Sequence, residues 1–353
     1  MSRSASNKTG RAVSMQDIAD RAGVAISTVS YSLNNHPKIP EATRLKIQAL
    51  ARKMGYRPDA YVSTLMARLH GRRRQSEQAV LGLLTEKYML KLFKTVPYHR
   101  DWYRGMQRRA DELGYKIDIF QWEPETLPAR NLATSLRARA IRGLVIAPQL
   151  NPSGSLDFPF ETFSCVAVGG SLVRPELHQV NTHYSHAMEL AVEKLVARGY
   201  RRPGLVLPIP FNSHIRSAYL STFLAIQYLN RNLGKVPPCL TPDFSGFHDT
   251  VRPWFERHRP DVLLVVTPRE VREIVGKSAR VPEEVGMIDL TCDDRAEFSG
   301  IDQAGEALGR AAVENVVVQI HRGEVGIPAA MQTILLRGEW HEGTTLPPRD
   351  SAE

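Results

Sequence analysis

The sequence predicts an α/β protein: a small all-helical helix-turn-helix head followed by a two-lobed core of doubly wound parallel sheets. Three observations predict it. A helix–glycine–helix pattern occupies the start of the chain, short apolar runs alternate with amphipathic helices over the rest, and the excess positive charge is confined to the head. With 353 residues the chain is long enough for two or three domains, and 42% hydrophobic against 24% charged residues is an ordinary globular balance.

Residues 1–12 are polar and basic and read as a disordered tail. Ser14-Met15-Gln16-Asp17 resembles a capping box with Asp in its fourth place, and Met15, Ile18, Ala19 and Ala22 then share one helical face. Gly23 supplies a tight turn. Ile26 to Leu33 forms a second short helix with Val29 and Leu33 inward, and Asn34 to Pro37 is a loop. Pro40 opens a third helix, in which Ile47, Leu50, Ala51 and Met54 recur at helical spacing until Gly55 ends it. Two short helices about a glycine turn, braced by a third, define a helix-turn-helix domain over residues 13–58. Residues 59–74 follow as an amphipathic hinge piece and linker with too little apolar surface to be stable alone.

The body spans 79–345. Strands are expected at 80–85, 116–120, 143–147, 165–168, 204–207, 262–266 and 285–290. Helices alternate with them at 101–113, 129–140, 186–198, 215–229, 269–276 and 305–321. Strands so short and apolar imply parallel sheets covered on both faces. The length implies two sheets with a cleft between them: an N-lobe of about 79–200 and 298–325, and a C-lobe of about 203–295 and 328–342.

Charge then narrows the partner. Residues 1–74 carry fourteen Lys or Arg against four acids, whereas the remaining 279 residues carry 32 bases against 33 acids. A basic head on a neutral body suits a polyanion, nucleic acid before membrane. No apolar run reaches the ~18–20 residues of a spanning helix, and no apolar stretch follows the polar N-terminus, so a cytoplasmic protein without a membrane partner is expected. Cys165, Cys239 and Cys292 are far apart and odd in number, which fits a reducing compartment. Enzyme signatures such as Gly-x-Ser-x-Gly, His-Glu-x-x-His and Cys-x-x-Cys are missing, and His183 with His186 has no third ligand, so neither catalysis, metal nor cofactor is expected.

The run Val13-Ser-Met-Gln-Asp-Ile-Ala-Asp-Arg-Ala-Gly-Val-Ala-Ile-Ser-Thr-Val-Ser-Tyr-Ser-Leu-Asn34 closely resembles the DNA-binding head of LacI/GalR-type transcriptional regulators. Thr43-Arg44 and Gly55-Tyr56-Arg57-Pro58 continue it, and the body is similar to that family's periplasmic-binding-protein-like effector domain. The resemblance implies that the second helix enters the major groove with Ile26, Ser27 and Tyr31 against base edges, while Ser14, Thr28, Asn34 and Lys38 grip phosphates. Helix capping is the competing role for Ser27 and Thr28. Asp59 to Leu69 matches the hinge helix, with Leu65 the wedge into the minor groove, while Val62 and Asp59 replace the family's usual alanine and asparagine; a plain linker is the alternative.

In the body the resemblance is looser. Tyr219 stands where a clamp arginine is common, with Arg216 one turn earlier. Candidate effector contacts are Trp102, His183, Tyr184, Arg216, Tyr219, Asp289 and Gln303. Trp102 shares the Met106 face and reads as core before platform, Arg216 reads equally as a solvated charge, and Tyr219 as a core residue with its hydroxyl satisfied. The resemblance implies a repressor that binds a pseudo-palindromic operator as a homodimer and answers a small polar, sugar-like effector. Two alternatives stay open: a body that serves as a dimerisation or protein-interaction platform without an effector, and an α/β enzyme carrying a DNA-binding head.

Overall fold

The computed structural model describes residues 13–33, 39–56, 79–122, 128–244, 247–291, 295 and 297–349. Two compact units divide the chain between Glu77 and Gln78. In the head, α1 (Met15–Ala22), α2 (Ile26–Leu33) and α3 (Glu41–Lys53) close over Ile18, Ala19, Val29, Ile47 and Ala51. The capping box forms as expected: the Asp17 N–H donates to Ser14 Oγ, and the Asp17 carboxylate accepts from the Ser14 N–H at 2.8 Å. Gly23 ends α1 at φ 66°, a left-handed conformation that other residues adopt only under strain.

The body begins with β1 (Ala79–Thr85), α4 (Lys87–Thr95), α5 (Pro97–Glu112), β2 (Tyr115–Gln121), α6 (Ala129–Ala138) and β3 (Gly143–Ile146). It continues through β4 (Gly154–Ser155), β5 (Ser164–Val168), β6 (Leu172–Arg174), β7 (His178–Thr182), α7 (Tyr184–Ala197), β8 (Pro203–Pro208), α8 (Ile209–His214) and α9 (Ala218–Leu229). After these come β9 (Cys239–Thr241), α10 (Phe247–His258), β10 (Val262–Val265), α11 (Pro268–Val275) and β11 (Gly286–Asp289). The described chain closes with β12 (Gly300–Asp302), α12 (Gly305–Arg322), β13 (Thr333–Leu336) and β14 (Glu339–His341).

Two six-stranded sheets result, in the orders β13-β7-β5-β3-β1-β2 and β14-β12-β11-β10-β8-β9. Strands β3, β5, β8, β10 and β11 are buried along their whole lengths, as strands covered on both faces must be. The expectation of wholly parallel sheets needs one correction, because β14 runs antiparallel to β12.

The lobes also exchange chain at places other than those expected. Helix α7, placed by sequence in the N-lobe, buries Ala187, Met188, Ala191 and Leu195 against Leu205 and Leu264 of the second sheet. Strand β12, expected in the N-lobe, joins the second sheet, and β13, expected in the C-lobe, pairs with β7 in the first. The chain therefore crosses between sheets at His183, at Gln303-Ala304 and at Arg337-Gly338. Each crossing is too short to show as a change of composition. The expected helix 215–229 begins only at Ala218: Arg216 and Ser217 take φ 55° and 58° and separate α9 from α8. Helix α10 was hidden by Pro253 in its interior.

The first lobe is organised by the crossing of α5 and α12. A Cβ added at Gly105 would strike the Glu306 carbonyl, and one at Gly309 would strike the Trp102 carbonyl. Removing side chains there lets the two backbones touch. Arg108–Glu306 at 2.7 Å and Arg310–Glu112 at 2.9 Å rim the contact, and the neighbouring Arg310 and Arg109 hold the Glu112 carboxyl down at about 2. Gly309→Ala is expected to destabilise the body by about 2 kcal/mol through overpacking. Urea denaturation followed by body tryptophan fluorescence checks it, with the head's helical melt as the unaffected reference.

Candidate functional site

Two sets of residues carry the candidate chemistry, one in each unit. In the head, α2 turns Val29 into the core and leaves Ile26, Ser27 and Tyr31 exposed on the opposite arc. Ile26 is 47% exposed and Tyr31 43%, a cost in water that suits a surface meant to be covered. Thr28 is half-buried. The Ser14 hydroxyl, expected on a phosphate, is committed to the Asp17 carboxylate at 2.7 Å. Asn34, Lys38, Asp59, Val62 and Leu65 lie outside the described residues.

In the body, candidates gather at the carboxyl ends of the strands and on the crossings between sheets, where open α/β folds bind ligands. Tyr219, buried in α9, donates its hydroxyl to the Leu290 carbonyl at 2.8 Å and accepts from Gln303 Nε2 at 2.9 Å. Gln303 Nε2 also donates to the Leu290 carbonyl at 2.7 Å. Tyr184 packs edge-on against Tyr219 with ring centroids 5.4 Å apart. Burial pushes both phenols up, with Asp289 adding to the effect at Tyr219, so both stay protonated donors. Asp289 Oδ1, fully buried, accepts from the Thr291 N–H at 2.8 Å and its hydroxyl at 2.7 Å.

His183 caps α7, its Nδ1 accepting the His186 N–H at 3.1 Å, which accounts for the His-x-x-His spacing without a metal. Trp102 is withdrawn as an effector contact and takes the core role that its shared face with Met106 favoured. Its ring is fully buried against Phe93 and its Nε1 donates to His99 Nδ1 at 3.2 Å, so it belongs to the core of the first lobe. Arg216 is exposed on the strained α8–α9 turn.

The sequence reading missed several residues that line the gap between lobes. Tyr98 and Thr182 share a 3.1 Å hydrogen bond beside Tyr184. His214 spans the lobes: Nδ1 lies 2.7 Å from the Pro210 carbonyl and Nε2 3.1 Å from the Gln149 carbonyl. Glu86 accepts the Leu150 N–H at 3.3 Å, and burial raises its pKa against the pull of that N–H and of His214. Most of these residues stand within a few positions of a strand's carboxyl end, the signal that could have found them. Two surface hollows lie elsewhere: one of about 500 Å³ lined by Val192, Val196 and Ile226, the other of about 310 Å³ by Arg100, Arg104 and Arg295.

Residues 14–59 match the model for bacterial regulatory proteins of the lacI family, and residues 81–270 match the periplasmic binding proteins and sugar binding domain of that family. The chain belongs to the LacI family. Among its relatives in that family, the lactose operon repressor of Escherichia coli (strain K12) is 23% identical over 340 residues, 88% of this chain and 86% of that protein. The HTH-type transcriptional regulator PtxS of Pseudomonas plecoglossicida is 26% identical over 327 residues, 89% of this chain and 91% of that one. A crystal structure of the lac repressor dimer bound to operator and an anti-inducer superposes with a TM-score of 0.56 at 19% identity, covering 96% of this chain and 100% of that one. LacI-family membership thus covers both the head and the body. Among the described residues no helix is long and apolar enough to cross a membrane.

His99 supplies a pH test of the Trp102 reassignment. Burial lowers its pKa from 6.5 to about 4, so the unfolded chain takes up a proton first as pH falls. Stability is full above about pH 6.5 and is lost as pH falls towards about 4, by roughly 3 kcal/mol. Urea midpoints across that window should flatten in His99→Asn, which keeps an acceptor for Trp102 but cannot titrate.

Proposed function

We propose that the protein is a sequence-specific transcriptional repressor that works in the cytoplasm, bound to the nucleoid. Two copies bind a pseudo-palindromic operator, because one short recognition helix reads only a half-site. The observation that carries this reading is the exposed arc of Ile26, Ser27 and Tyr31 on a helix whose other face is locked into the head core. Contacts from an aliphatic side chain and two hydroxyls favour thymine methyl groups and mixed donor–acceptor edges over the bidentate guanine contact an arginine would make. Arg21, Arg44, Lys46, Arg52 and Lys53 supply phosphate attraction around it.

In the body, a small polar ligand of sugar size is held between the lobes by His183, Tyr184, Arg216, Asp289 and Gln303, and biases the angle between them. The reading assigns no catalysis to these residues. A second reading, a body without any effector, draws on the mutual pairing of Tyr219 and Gln303, which leaves neither group calling for a ligand.

Selection from random duplexes at fixed salt tests the first reading. An inverted repeat should be enriched, and Ile26→Ala with Tyr31→Ala should cost on the order of tenfold or more in discrimination between that repeat and random DNA. The salt dependence of binding should remain, since phosphate contacts survive. Unchanged discrimination in the double variant would show that another surface reads the bases.

A further inference from the structure

The α8–α9 turn holds the strongest unexplained feature of the body. Arg216 and Ser217 are consecutive non-glycine residues in the left-handed region, at φ 55° and 58°. That backbone is strained for residues with a Cβ, and such strain persists where the surroundings impose it. Here the Ser217 N–H donates to the Asn212 carbonyl at 2.8 Å, and Asn212 Nδ2 donates to Ser217 Oγ at 3.1 Å. The turn also faces the other lobe. His214 meets the Gln149 carbonyl, and a Cβ at Gly170 would lie 3.4 Å from Arg216 Cγ and 3.4 Å from Asn181 Nδ2. The Arg216 stem therefore lies close to Gly170 of the first lobe.

At the ends of the neighbouring strands β8 and β10 lie two buried polar atoms with no hydrogen-bond partner, Asn212 Oδ1 and Thr267 Oγ1. Asn212 is only 8% exposed. The two residues follow β8 and β10, neighbouring parallel strands, at the carboxyl ends that face the cleft. An unmet buried acceptor is costly, and a ligand hydroxyl would satisfy it. Among the described residues Arg216 has no ion-pair partner, whereas Glu86 on the facing lobe interacts with His214. A guanidinium at the edge of the cleft can take a carboxylate or phosphate in bidentate fashion.

Resting on the reading of the cleft as an effector site, we propose that the effector is an anionic polyol. Its carboxylate or phosphate is received by Arg216, and its hydroxyls by Asn212 and Thr267. Arg216 is then the residue that separates charged from neutral ligands of the same size.

Thermal shift and calorimetry on the full-length protein test this with a panel of aldonates and hexose phosphates, each paired with its neutral parent sugar. At least one charged member should bind ten times more tightly than its parent, and Arg216→Met should remove that preference while a circular-dichroism spectrum confirms the fold. Aldonates binding alone identify a carboxylate, and hexose phosphates alone a phosphate; either outcome supports the proposal. Neutral sugars binding as well as their charged partners, or a preference that survives Arg216→Met, overturns the role of Arg216 and leaves the effector site standing. Binding of no member, charged or neutral, overturns both.

Discussion

Everything in the body depends on the three short crossings between its sheets. At His183, at Gln303-Ala304 and at Arg337-Gly338 the chain leaves a strand of one lobe and enters a helix or strand of the other within one or two residues. This forces the carboxyl ends of both sets of parallel strands to border one gap, so the polar groups that close those strands face each other. It also places candidate ligand residues on the connections themselves. His183 and Gln303 are at once pocket and pivot, and Gln303 holds its crossing to the second lobe through the Leu290 carbonyl and Tyr219. Arg295 adds a further tie, pairing with Asp101 of the first lobe at 3.4 Å and Asp302 of the second at 2.9 Å.

The first lobe and the head solve different packing problems. In the lobe, two long helices cross at glycines, and the sheet beneath is covered on both faces. The head is too small for such layers and relies on local devices: a reciprocal cap at Ser14 and Asp17, a left-handed glycine at its turn, and, among the described residues, five buried apolar side chains. Its recognition surface follows from that economy, since a helix of eight residues with only Val29 and Ser32 buried must leave the rest of its circumference outside.

Those local devices are why the head was legible from sequence. Capping boxes, glycine turns and i, i+3, i+4 spacing act within a few residues, and each appeared at its expected place. Parallel strands such as β3 and β10 were also legible, because burial on both faces makes them continuous apolar runs. What escaped was set by distant contacts. Strands β7, β12 and β13 are short, mixed in polarity and defined by partners far along the chain. The assignment of α7 to the second lobe depends on what it packs against, which its own spacing cannot reveal. In the candidate site, Tyr219 and Gln303 were found by position within a resemblance. His214 and Asn212 were missed because nothing local distinguishes a histidine aimed at another lobe from one aimed at solvent.

The brevity of the crossings has a mechanical consequence. A residue spans at most ~3.5 Å of extended chain, so connections of one or two residues act as a three-leaf flexure: stiff to stretch, soft to twist. Such lobes cannot part from one another to admit or release a ligand; they can only turn. Whatever free energy a molecule contributes between them is therefore delivered into one angular coordinate, and a sensor with a single soft coordinate behaves as a dial with few settings rather than as a spring with graded extension.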